Sequence, residues 1–231
     1  MMELSNIIKL NNNAVALMAS GDFQGSTSSL QRALCLVRST LDQPDSIGIP
    51  HPGCSEKSSL ITSVDLPEIV HLPGISNETI FVTFNRGIVF GEAMASSSSL
   101  LTERQWHIIS SALMYNFALT QHKLWERDGV SKRLTKALAF YENAMSLIAP
   151  TSAQDYLGAD ETLLLLAIAN NSAYIHSSQF FNFVETQRLI EVMKYLLHSG
   201  DMSEIENEDF DDLLMTISLH EVDEKPAAGV A

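Results

Sequence analysis

Residues 7–37 read IIKLNNNAVALMASGDFQGSTSSLQRALCLV, and this stretch decides the fold. Ile7, Leu10, Ala14, Leu17 and Met18 recur at the three- and four-residue spacing of a helix with one apolar face. Beyond Ser20-Gly21-Asp22, the residues Phe23, Leu30, Ala33, Leu34 and Val37 do the same. A short polar break containing glycine between two amphipathic runs predicts a helical hairpin.

Working outward, two further hairpins follow. Thr102 with Gln105 three residues on forms a capping box, and Trp106, Ile109, Leu113, Phe117 and Leu124 fall on one stripe of a helix over 102–125. After the polar turn at 126–129 a second helix spans 131–148, with Leu134, Ala137, Leu138, Tyr141, Ala144, Met145 and Ile148 inward and Pro150 as its stop. The third hairpin starts near Asp160. Its run 163–169 is apolar nearly all round, as in a helix with neighbours on both sides. The break falls at 177–179, and a partner helix covers 184–197.

The intervening segments read differently. Pro44, Pro50, Pro52, Pro67 and Pro73, with glycines and serines between them, predict a flexible insertion over 42–78. Residues 79–90, TIFVTFNRGIVF, are rich in β-branched and aromatic side chains and predict a short strand, or a hairpin turning at Asn85-Arg86-Gly87. Residues 201–231 form an acidic segment and a disordered tail, with one more short helix or strand from Phe210 to Leu219. The expected architecture is a single all-α domain over 1–231: about three stacked antiparallel hairpins carrying a small strand insertion.

Composition narrows function. The 231 residues carry 28 acidic against 14 basic side chains, a net charge of −14. That field repels phosphate backbones and anionic lipid, so neither nucleic acid nor membrane is the expected partner. The densest basic stretch, Lys132, Arg133 and Lys136, is too short for a nucleic-acid platform. The longest apolar run, 163–169, is far below membrane-spanning length, and the first six residues lack the pattern of a secretory leader. Two cysteines point to a reducing compartment, with Cys35 as an apolar core residue and Cys54 as an exposed loop thiol. The expected location is the cytoplasm, with the nucleus as the alternative. P-loop, dinucleotide, HExxH and GxSxG patterns are missing from the sequence. His51 beside Cys54 lies in a loop with too few ligands for zinc, and the acidic run 204–212 lacks an EF-hand pattern. No catalytic residue, metal or cofactor is expected, and the chain is not expected to be an enzyme.

The three first helices share a further feature. Asn12-Asn13-Ala14, Asn116-Phe117-Ala118 and Asn171-Ser172-Ala173 each place a small residue two after an asparagine. Leu10, Ala14, Leu17, Gly21, Phe23, Ser26, Leu30 and Ala33 match the spacing of the tetratricopeptide repeat, with Ser26 where that family usually has alanine. Ala118, Ala137, Tyr141, Ala144 and Pro150 fit in the second hairpin, and Ala173, Phe181 and Val184 in the third. The chain thus resembles a degenerate tetratricopeptide-repeat protein. It also resembles helical-repeat proteins of microalgae that share its first hairpin, its Pro/Ser-rich insertion and its LLLLAIxNN-like third hairpin. The resemblance implies peptide or protein binding on a concave face lined by first helices. That face would show Asn11, Val15, Met18, Tyr115, Leu119, His122, Asn170, Tyr174 and Ser177. Asn116 answers to one asparagine of the family's carboxylate clamp, but no Lys or Arg stands at the matching groove positions of the first or third hairpin, so an apolar or amphipathic segment is the expected ligand. The alternatives are core packing for these residues, asparagines bridging backbone groups between hairpins, a homodimer formed through an apolar third hairpin, and an enzyme or small-ligand carrier with a helical pocket near Tyr115, His122 and Tyr174. The 42–78 insertion folding onto the groove would make an autoinhibited adaptor.

Overall fold

A computed structural model describes residues 2–42, 59–67, 83–91, 94, 101–150, 157–202, 210–211 and 213–218. The described chain is mostly helical, with one two-stranded antiparallel sheet. Where the sequence reads as one domain, its contacts gather into two compact units: Met1–Leu72 with Asn85–Thr151, and Pro73–Phe84 with Ser152–Ala231.

In the first unit, α1 (Met2–Ala19) and α2 (Phe23–Leu41) form the hairpin read from 7–37. Gly21, with φ 81°, takes the left-handed conformation that closes the turn, and the Asp22 carboxylate accepts from Gly25 N at 2.9 Å to start α2. The small residues sit where the helices meet. Ser29 Oγ donates to Leu10 O at 3.0 Å across the hairpin, and Ala14, Leu30 and Ala33 are buried. The second hairpin pairs α3 (Glu103–Asp128) with α4 (Lys132–Ile148). Thr102 and Gln105 form the predicted capping box, and Gly129, with φ 69°, ends α3 in the left-handed region. Ser111 Oγ donates to Ala144 O at 3.0 Å, and the rings of Phe117 and Phe140 stack 4.3 Å apart. Helix α2 also packs on α3, where the hydroxyls of Ser26 and Thr120 meet at 3.1 Å. Residues 108–126 of α3 are consequently buried throughout, Met114 excepted.

Two expectations change here. The sheet is not a hairpin within 79–90. Strand β2 (Arg86–Phe90) pairs antiparallel with β1 (Ile61–Asp65), from Ile61 opposite Phe90 to Asp65 opposite Arg86. Thus β1 lies inside the segment read as a flexible insertion; residues 43–58, 68–78 and 79–82 lie outside the described residues. Gly87 makes no turn. It sits in the strand because a Cβ there would lie 2.7 Å from Val15 Cγ1, so only glycine lets β2 come this close to α1. The second change is Cys35, which is exposed: the inward stripe of α2 runs through Leu30, Ala33 and Val37, and Cys35 falls on the opposite face. Cys54 and His51 lie outside the described residues.

In the second unit, α5 (Ala159–Ser178) and α6 (Phe183–Ser199) form the third hairpin. Every residue from Glu161 to Ile175 is buried, as the all-round apolar run predicts. Asn182 caps α6, its side chain accepting from Glu185 N at 3.2 Å. Residues 210–211 and 213–218 are helical, with Leu213, Thr216 and Ile217 buried, which resolves the helix-or-strand alternative to helix; the rest of the acidic run and the tail lie outside the described residues.

Candidate functional site

The face of α1 and α3 that the resemblance makes a groove is filled in the first unit by β2. Asn12 is half-buried and takes both polar groups of one strand residue: its Oδ1 accepts from Phe90 N at 2.9 Å and its Nδ2 donates to Phe90 O at 2.9 Å. Asn116, fully buried on α3, does the same to Ile88, at 2.9 Å from the N–H and 2.7 Å to the carbonyl. Asn11 adds a second bond to Ile88 O at 2.9 Å, and its Oδ1 accepts from Asn116 Nδ2 at 2.8 Å, tying α1 to α3. Tyr115 Oη donates to Arg86 O at 2.9 Å. Side chains therefore hold the carbonyls of Arg86, Ile88 and Phe90 on one edge of β2, while β1 pairs with the other edge.

The second unit repeats the contact on its own. Asn171 Oδ1 accepts from Phe84 N at 2.9 Å and its Nδ2 donates to Phe84 O at 3.1 Å. Asn12, Asn116 and Asn171 are the three asparagines that stand two residues before Ala14, Ala118 and Ala173, and all three alanines are buried. Their amides turn to main-chain groups: Asn12 and Asn116 to Phe90 and Ile88 of β2, and Asn171 to Phe84. The Asn116–Asn11 bond joins two hairpins side chain to side chain, not through the backbone groups expected.

The nine residues expected on an open groove are placed as follows. Asn11, Val15, Met18, Tyr115, Leu119 and His122 are buried in the first unit, and Asn170 and Tyr174 in the second; Ser177 is half-buried. The open face is a correction. Val15 lies under Gly87, Asn11 and Tyr115 are engaged with β2, and Met18 Sδ accepts from Thr120 Oγ1 at 3.0 Å. Among the described residues the occupant is 86–90; most of the 42–78 insertion lies outside them. Likewise Leu163, Leu164, Leu165 and Leu166, which motivated a dimer through the third hairpin, are all buried. The apolar side chains that do face solvent there are Phe180, Phe181, Phe183 and Val184, at the turn between α5 and α6.

Near the end of α3 lies a charged cluster the sequence reading did not single out. Lys123 Nζ and Glu126 Oε2 pair at 2.9 Å, with side chains only 5% and 3% exposed. His122 is fully buried, its Nε2 3.9 Å from Glu126 Oε1. Burial lowers the His122 pKa from 6.5 to about 4, against the opposing pull of Glu126, so the imidazole is neutral at neutral pH. This sets a pH dependence. An unfolded chain takes up a proton below pH 6.5 and the folded one only near 4. The stability owed to neutral His122 is complete above pH 6.5 and is lost as pH falls toward 4, by on the order of 3 kcal/mol in all. Urea unfolding of the wild type and His122→Gln at several pH values should show the wild type losing more across that window; parallel curves would contradict it.

Among the described residues, no group of three His, Cys, Asp or Glu side chains is placed to hold a metal ion, and no helix is long and apolar enough to cross a membrane. No family model, curated protein or solved structure matches the chain.

Proposed function

We propose that the chain is a protein-binding adaptor, a tetratricopeptide-like stack of helical hairpins that holds an extended stretch of polypeptide by its backbone. The observation that carries this reading is the repeated asparagine contact. Asn12 and Asn116 in one unit and Asn171 in the other each engage the N–H and C=O of a single residue. Paired amide bonds of this kind recognise main chain and leave side chains free, the recognition used when a peptide adds to a sheet edge. The buried alanines and the Ser26–Thr120 contact support close stacking of hairpins. The reading assigns no reaction, cofactor or metal to the chain. With a net charge of −14, its partner is a protein or peptide rather than a nucleic acid. Affinity capture with the intact chain, followed by calorimetric titration of each recovered protein in pure form, tests it. At least one recovered protein should bind in the micromolar range or tighter; no binding between pure components overturns the adaptor.

A further inference from the structure

We infer that β2 is an internal occupant of a peptide site, and that the external ligand is an extended segment with glycine, an apolar residue, any residue and an apolar residue in succession, which takes its place. The inference rests on the adaptor reading and adds what the ligand must look like and what it competes with.

Both edges of the strand are held through its main-chain groups. Asn116 and Asn12 supply donor and acceptor to Ile88 and Phe90, and Tyr115 caps the carbonyl of Arg86. On the opposite edge the antiparallel register with β1 is also main chain to main chain, continued by Leu66 N to Asn85 O and Gly91 N to Leu60 O at 3.1 Å each. Any segment in extended conformation can make these bonds.

Side-chain identity matters at three places. At position 87 a Cβ would meet Val15 Cγ1 at 2.7 Å and Cγ2 at 3.2 Å, so the ligand needs glycine there. Ile88 and Phe90 are buried and require apolar counterparts, Val89 is partly exposed and tolerates change, and Arg86, its side chain 12% exposed, pairs with Asp65 of β1 at 3.3 Å. The resulting pattern is Gly-apolar-x-apolar, of which 87–90 is one instance. Because β2 is part of the same chain, it competes with an effective concentration on the order of millimolar, and a free peptide enters only when the strand leaves.

The geometry supplies its own lock. A Cβ at 87 would stand 3.5 Å from Val15 Cβ, within the spacing a disulfide spans. In the full chain carrying Val15→Cys and Gly87→Cys, with Cys35→Ser and Cys54→Ser to prevent mispairing, oxidation fixes β2 in place and reduction frees it. Fluorescence anisotropy of a dye-labelled peptide of residues 85–91, NRGIVFG, reads the outcome. The reduced protein should bind the peptide and the oxidised protein about a hundredfold more weakly or not at all, while the wild type, which keeps Val15, should not bind the peptide with Gly87→Val. Equal binding to both forms, or none to a folded reduced form, overturns the inference. If the double-cysteine chain does not fold, amide exchange of the wild type decides. Ile88 and Phe90 N–H should exchange through an opening easier than global unfolding, and exchange no faster than the most protected α3 amides overturns the idea. A captured partner that binds oxidised and reduced protein alike leaves the adaptor standing and removes the exchange. Peptide binding to the reduced form without any captured partner does the reverse.

Discussion

Replacing Glu126 by alanine is expected to lower the free energy of unfolding by about 3–5 kcal/mol, among the largest effects of any single change in this chain. The reason is the asymmetry of buried charge. Lys123 and Glu126 sit one helical turn apart on α3, both nearly inaccessible to solvent, and their pair at 2.9 Å compensates the hydration each has lost. Removing the carboxylate leaves an ammonium with no counter-charge beside His122, whose neutral ring offers none. Removing both charges is a different experiment. Lys123→Met with Glu126→Leu should cost far less than the single change, because an apolar pair of similar volume carries no desolvation penalty. A double-mutant cycle by urea unfolding measures the difference. A single-variant loss below about 1 kcal/mol would show that the pair is effectively hydrated.

Asn116→Ala is expected to cost about 2–4 kcal/mol, through a different mechanism. The substitution strands the Ile88 N–H and the Asn11 Oδ1, both buried, while Ile88 O keeps its bond from Asn11. Each orphaned buried group costs about 1–3 kcal/mol, and the small side chain adds a cavity. Asn13→Ala is the matched control. It removes an asparagine from a neighbouring first helix at an exposed position, where its side chain makes a long bond of 3.4 Å to Ser29 Oγ, and should cost less than about 1 kcal/mol. The two variants should also differ locally, with amide exchange at Ile88 accelerated only in Asn116→Ala. Equal stabilities for both would mean that the amide contact contributes nothing specific.

The hairpins were legible because their information is local. Apolar spacing near 3.6, the Ser20-Gly21-Asp22 break, the Thr102–Gln105 box and the stop at Pro150 each lie within a few residues of what they specify. The continuous burial of α5 was equally plain, since 163–169 has no polar face to turn outward. The sheet was not legible. Its strands are held by a partner some 25 residues away and by asparagines 28 to 78 residues away, so no periodicity within either strand announces it. Five residues reading ITSVD between prolines look like linker until Ile61 is found opposite Phe90. The asparagines themselves stood out as markers of register, but spacing says which face a residue occupies and not what covers it. For the same reason eight of the nine groove positions, all but Ser177, read as open and are buried.

One consequence follows from the way β2 is bordered. A strand whose free rim shows unpaired main-chain groups is a template on which further chains can add. On its helical side β2 has no such rim, because Asn11, Asn12, Tyr115 and Asn116 terminate it with side chains that cannot themselves be extended. Growth of this sheet from that side is blocked by chemistry rather than by bulk, and a chain stripped of those amides would expose a surface prone to fibrillar addition.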